Sequence, residues 1–339
     1  MTKQKPQTWY AQHSLGNSTF KQWYFKDFFH FVNINNFTYL TFLLCNAKFS
    51  KAMEKNIEIM AWPSLKSPVF IAGFEGWGNA LDVSKVMISY LIRKLGAHKF
   101  AILSGELFYK FDETRPWVKI EKGQLRSIEL PRGEFFAVEI PASEHDVVLF
   151  RAREPHVRWL TFVQEVLGLC KDLKVATIIT LGSMYDNVLH SDVVISGIAS
   201  TQLLLNTLQK KNILPISYNG PSAIHSVFHS KGHEMGFECV SLWCHCPYYL
   251  QGTTHFGLVS ALGEVISSLC GFELDRLELD ASWKELSQQI QSLIDKNPEL
   301  HKLVEELRRA KVRGSWETIR DSIKKDGKVI HIEDFLRPK

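Results

Sequence analysis

No apolar run in the 339-residue sequence approaches the roughly 20 residues of a membrane span, so no membrane partner is expected. Charge of one sign is scarce too: 40 lysines and arginines face 36 acids, a net of +4. The surplus sits in residues 1–52, which hold six lysines, no arginine and a single acid, Asp27. The remainder carries 34 basic and 35 acidic residues, a net of −1, so it shows no electrostatic footprint for nucleic acid. No Cys-x-x-Cys pair occurs among the six cysteines (Cys45, Cys170, Cys239, Cys244, Cys246 and Cys270). Scattered through apolar segments, they read as buried thiols of a reducing, cytoplasmic compartment. No Gly-x-Ser-x-Gly surrounds Ser183, and no Gly-Lys-Ser/Thr follows any glycine turn, which argues against a hydrolase elbow or a Walker loop. Internal repeats and low-complexity segments are absent as well.

What is present is an alternation of apolar strands with amphipathic helices from Pro68 to Gly271. The patterning predicts strands over 69–73, 99–104, 146–150, 175–181, 193–197 and 238–243. Helices are predicted over 79–95, 155–172, 199–212, 221–236 and 254–270. Such alternation implies a three-layer α/β domain on a largely parallel sheet. Residues 115–145 interrupt it, and Val118-Lys119-Ile120 and Phe135-Phe136-Ala137-Val138 read as hairpin-like additions at a sheet edge.

The chain divides into residues 1–59, a poorly ordered extension or mis-assigned start, an α/β domain over 60–280, and a helical hairpin with a tail over 281–339. The first segment has 13 aromatics in 52 residues without sustained periodicity, and Met53 and Met60 are alternative initiators. In the last segment, Ser282-Trp283-Lys284-Glu285 reads as a capping box. Asn297-Pro298 stops one helix and starts the next. Trp283, Leu286, Ile290, Leu300, Leu303 and Leu307 form apolar stripes that must pack either on their own domain or on another subunit or client, and an assembly defect is expected on charging them.

Four segments carry the candidate site. Val69-Phe70-Ile71-Ala72 runs into Gly73-Phe74-Glu75-Gly76-Trp77-Gly78, a strand–glycine turn–helix whose free N–H groups could hold an anion. Phe111-Asp112-Glu113-Thr114-Arg115-Pro116 follows the second strand, and Glu154-Pro155-His156-Val157-Arg158-Trp159 opens a helix after a strand. Tyr218-Asn219-Gly220-Pro221 introduces another helix. In this order the set resembles the type-2 branch of the proteasome assembly chaperone family, over about Met60 to Leu307.

That resemblance implies a purine-nucleoside-phosphorylase-like α/β architecture, self-association into a homo-oligomer, and a protein-binding role toward an unknown client. A cofactor is not implied. The pocket or turn-anchoring residues it points to are Gly73, Glu75, Gly76, Trp77, Asp112, Arg115, Glu154, Arg158, Trp159, His190 and Tyr218. The sequence departs from the family in two places. Leu189-His190-Ser191-Asp192-Val193 stands where the family often has Pro-His-Thr-Arg-Pro, and Tyr218-Asn219-Gly220-Pro221 lacks the family carboxylate. The chain ends Leu336-Arg337-Pro338-Lys339, so the hydrophobic–tyrosine tail by which archaeal members dock on proteasome rings is not expected.

The rival reading is a small-molecule hydrolase, phosphorylase or ligase using a strand-end crevice near Glu75, Glu154 and Arg158, although no nucleophile-and-base pair stands out there. His225, His229 and His233 share one helical face, yet lack the glutamate of a metalloprotease motif, and no metal is expected. In Cys244-His245-Cys246, strand alternation puts the cysteines on one face and the histidine on the other, which disfavours joint chelation.

Overall fold

The structure, a computed structural model, describes residues 56–141 and 143–313, with side chains through residue 309. The expected extension, apart from residues 56–59, and the tail beyond Arg313 lie outside the described residues. Strands β1 (Ile57–Ile59), β2 (Val69–Glu75), β3 (His98–Leu103), β4 (Trp117–Glu121), β5 (Gln124–Glu129) and β6 (Gly133–Val138) come first. Then follow β7 (Val147–Arg153), β8 (Thr177–Asp186), β9 (Ile195–Ala199), β10 (Leu214–Pro215) and β11 (Glu238–Pro247). The helices are α1 (Val83–Leu95), α2 (Trp159–Asp172), α3 (Gln202–Lys210), α4 (Ile224–Glu234), α5 (Phe256–Cys270), α6 (Leu277–Lys296) and α7 (Pro298–Arg313).

Nine strands form one sheet in the order β1-β3-β6-β7-β2-β8-β11-β9-β10. Its centre, β7-β2-β8-β11, is parallel, and antiparallel pairs flank it on both sides. Alternation sorts the strand residues into two cores. Val69, Ile71, Leu149, Leu181 and Leu242 join α1, α5, α6 and α7 on one face. Phe70, Ala72, Phe74, Val148 and Phe150 join α2 and α4 on the other. Strands buried on both faces are apolar at nearly every position, which is why β2 reads Val-Phe-Ile-Ala-Gly-Phe without a polar break. On the second face Phe150 touches Phe70, Phe74, Phe135 and Phe162. Such aromatic pairs contribute about 0.5–1.5 kcal/mol beyond their burial.

The structure differs from the sequence expectation in four places. β6 is no edge addition, because it pairs with both β3 and β7. Phe135, Phe136 and Ala137 are buried accordingly, on alternate faces. β9 runs antiparallel to β11 because it follows β8 through a short loop without the crossover helix that a parallel return needs. Ser282 caps nothing: it lies inside α6 and donates to the Glu278 carbonyl. The fourth difference concerns the C-terminal stripes, whose charging is expected to disturb assembly. Ile290, Ile294, Leu300, Val304 and Leu307 are buried in the first core, with Trp283, Leu286 and Leu303 packed against it. Asn297 does start α7 as its sequence suggests, accepting from the backbone N–H groups of Glu299 and Leu300.

Candidate functional site

The parallel strands β2 and β7 end side by side, with α1 and α2 leaving toward opposite faces of the sheet. Such a switch point opens a crevice at the carboxyl ends of the strands. Glu75 ends β2, and Glu154 immediately follows β7.

Glu154 is the centre of this region. One carboxylate oxygen accepts from the Trp77 N–H at 3.3 Å and the other from the Ile224 N–H at 2.8 Å. Its own N–H donates to the Glu75 carbonyl at 2.7 Å. One side chain therefore clamps the glycine turn to the first residue of α4, where a carboxylate also meets the positive end of the helix dipole. Gly76 is required for that approach. Its φ is +136°, and a Cβ there would lie 2.9 Å from the Glu154 Cβ. At Gly73, β2 crosses α1 so closely that a Cβ would meet Ile88 Cγ1 at 2.3 Å.

The expected anion site at the start of α1 is filled by the protein itself. Asn79 Oδ1 accepts from the N–H groups of Ser84 and Lys85 and from the Ser84 hydroxyl. The anion held at a helix start is instead Glu154, on α4. Glu75 is paired with Arg153 and Lys85. Ser183, fully buried, donates its hydroxyl to the Ala80 carbonyl and its N–H to the Gly78 carbonyl, fastening the turn to β8.

The other predicted residues divide. Trp159 donates through Nε1 to the Pro155 carbonyl and packs on the second core. Tyr218 is exposed and donates to the Pro221 carbonyl, closing the turn ahead of α4. Asp112 is exposed, and Arg115 lines an open hollow of about 440 Å³ with Glu113, Thr114, Trp117 and Arg153. Arg158 is exposed, with a left-handed φ of 57° at the start of α2. A buried pair with Glu154 would need a contact that the described residues do not contain. His190 lies on the opposite face of the sheet, where its N–H and ring meet the Tyr249 hydroxyl and its carbonyl accepts from His255.

Of the histidine face, His225 is buried under the glycine turn between Phe74 and Trp243, with Nε2 donating to the Leu181 carbonyl at 2.9 Å. Burial pushes its pKa down to about 4. His229 is half-buried and His233 exposed, and no group of three or more potential metal ligands occurs among the described residues. Cys244 and Cys246 are buried in the first core, with His245 on the other face as alternation requires.

Glu154→Gln should cost about 1–3 kcal/mol, because the amide presents one donor against two N–H groups. Arg158→Ala should change stability by no more than about 0.5 kcal/mol. Chemical denaturation of both variants measures the contrast.

By sequence, residues 70–294, from β2 into α6, match the PAC2 family. The chain belongs to the PAC2 family. Among solved structures, this PAC2 family chain is similar to a proteasome-assembly chaperone homologue of Mycobacterium tuberculosis, at 26% identity and a TM-score of 0.64. The match covers 70% of this chain and 99% of that one. A PAC2 family protein from Streptomyces avermitilis is 28% identical, with a TM-score of 0.64 and the same coverage. PbaB of Pyrococcus furiosus, an archaeal proteasome activator, shares the fold at 19% identity and a TM-score of 0.56, over 70% of this chain and 97% of that one. A search of curated proteins finds no match.

Sequence reasoning missed how Asn79 and Glu154 are used. Both are single polar residues acting on backbone N–H groups distant in sequence or beyond one helical turn, so no spacing marks them. It also missed a polar line on the second face, in which Asp186, His245 and Ser196 come together from three strands.

Proposed function

We propose that this PAC2 family protein is a cytoplasmic protein-binding or assembly factor that works as a homo-oligomer and holds a protein client. The observation that carries the reading is the β4–β5 hairpin. Its strands form a two-stranded sheet apart from the main one, and every strand residue is exposed. Trp117 is 80% exposed, and Val118, Ile120, Leu125 and Ile128 are exposed beside it. The Lys122-Gly123 turn, with positive φ at both positions, closes the hairpin tightly. An isolated two-stranded sheet is marginal in water, and three or more strands with a covered face are needed for stability.

The occupant we assign to this surface is a second copy of the chain. Among the described residues nothing pairs with either hairpin edge, so two copies can pair edge to edge into one four-stranded sheet, an arrangement compatible with two-fold symmetry. Lys119 and Arg126 with Glu121 and Glu129 supply both signs of charge for such a self-contact. Family membership supports a binding role, since a mycobacterial relative is described as a proteasome-assembly chaperone homologue. Five buried free thiols support a reducing compartment. The crevice residues support the same reading, because Glu75 and Glu154 are engaged in holding turns.

Light scattering over a concentration series tests this. The wild type should self-associate, and Ile120→Asp with Ile128→Asp should weaken association at least tenfold, leaving the melting temperature of the dilute protein unchanged. A wild type that stays monomeric at high concentration would sink the proposal.

A further inference from the structure

On the second face of the sheet, three side chains from three strands form one hydrogen-bonded line. His245 Nδ1 lies 2.7 Å from Asp186 Oδ2, and His245 Nε2 lies 2.8 Å from the Ser196 hydroxyl. The placement follows from register. Met184 pairs with His245 across β8 and β11, and Trp243 pairs with Ser196 across β11 and β9. Side chains of paired residues share a face, as do those two apart on a strand. Asp186, His245 and Ser196 therefore all project on the side away from α5, α6 and α7.

From this geometry we propose that Ser196, His245 and Asp186 form an acyl-transfer triad, with Ser196 the nucleophile toward esters of apolar acyl groups. With Nδ1 protonated, the Asp186 carboxylate accepts from it, and Nε2 remains as acceptor for the Ser196 hydroxyl. This is the tautomer in which a histidine serves as general base to a serine. The carboxylate is itself oriented by the Asn187 N–H, which donates to Oδ1 at 2.7 Å. Although burial works the other way, the bonds from His245 and the Asn187 N–H hold the Asp186 pKa below its ordinary value. Rigid strands carry all three groups, so their separations are set by the sheet rather than by a loop.

The surroundings indicate the substrate class. Ser196 is only 2% exposed, whereas the His245 and Asp186 side chains are 13% and 44% exposed. Ser196 is thus the most deeply set of the three. Ile198 on β9 and Leu214 on β10, both exposed, border it, and half-buried Trp243 flanks it on β11. An apolar acyl chain matches that rim.

In the reaction, the Ser196 oxygen bonds to the ester carbonyl carbon while its proton passes to His245 Nε2. The carbon–alkoxy bond then breaks, and the alcohol leaves with that proton. Water repeats the sequence on the acyl-serine, releasing the acid and restoring the hydroxyl. No other co-reactant is needed. The site is separate from the exposed hairpin, so this inference and the assembly reading stand or fall independently.

The test uses the full chain with an alkyl fluorophosphonate, whose phosphorus bonds to a nucleophilic serine as fluoride leaves, and with p-nitrophenyl butyrate. Mass spectrometry should place one phosphonyl group on Ser196. Ser196→Ala should abolish both labelling and butyrate hydrolysis while the protein remains folded. Asp186→Asn, isosteric and at a half-exposed position, should slow labelling by about a hundredfold or more. Failure of folded wild type to label at Ser196 would overturn the proposal, as would an Asp186→Asn rate equal to that of the wild type. If His245→Ala fails to fold, the serine and aspartate variants still decide.

Discussion

Ile290→Asp should destabilise the α/β unit by about 4 kcal/mol or more, leaving association unchanged until the chain unfolds. Ile290 is completely buried, and Leu300, Val304 and Leu307 of α7 are buried in the same core. A carboxylate there loses the burial of the isoleucine and also enters an apolar site without a partner, the combination that produces the largest single-residue losses. Denaturant titration measures the cost, and light scattering on the same samples measures association. Were these helices a docking surface, the aspartate would disperse an assembly and leave the melting temperature nearly intact. That outcome would contradict their packing on their own domain.

Acid should also unfold this protein unusually early, because two buried histidines are held neutral. Burial pushes both His225 and His255 down to about 4, from an ordinary value of 6.5. His255 Nδ1 caps α5 by accepting from the Leu258 N–H, and Nε2 donates to the His190 carbonyl, so a second proton would set donor against donor. Between those two values the unfolded chain binds protons that the folded chain refuses. The stability is therefore fully present above 6.5 and falls as pH drops toward 4, by about 3 kcal/mol for each histidine. Urea titrations at about pH 7 and about pH 4.5 check the sign. His255→Asn keeps a capping oxygen and removes one titrating group, so its stability should fall less steeply over that interval. An identical pH slope would show that His255 titrates alike in both states.

Much of the fold is legible in short-range pattern. β2 and β7 are buried on both faces, so their apolar runs are uninterrupted, and the helices α1, α2 and α5 carry apolar residues at helical spacing. The strand ends are harder to read. β8 and β11 continue to Asp186 and Pro247, several residues past the apolar runs expected to end at 181 and 243. Polar residues there are held by pairing with each other, and a hydrophobic pattern does not register pairing. The same blind spot hides the line of Asp186, His245 and Ser196, since register between three strands brings them together.

The candidate site divides along similar lines. Gly76, Glu75 and Glu154 stand out as a glycine turn and carboxylates at strand ends, which is local information. That Glu154 reaches the N–H groups of Trp77 and Ile224 depends on α4 beginning beside β7. That His190 belongs with Tyr249 and His255, on the far face, depends on where the loop after β8 passes.

Local patterning by itself determined the layers and the glycine turn, because periodicity and turn chemistry act over a few residues. Tertiary structure alone decided that the C-terminal stripes face inward, that the β4–β5 hairpin stands exposed, and that Glu154 clamps a turn to a helix. Each of those outcomes depends on contacts between segments far apart in the chain, where the same apolar stripe or carboxylate is compatible with several partners and packing selects one.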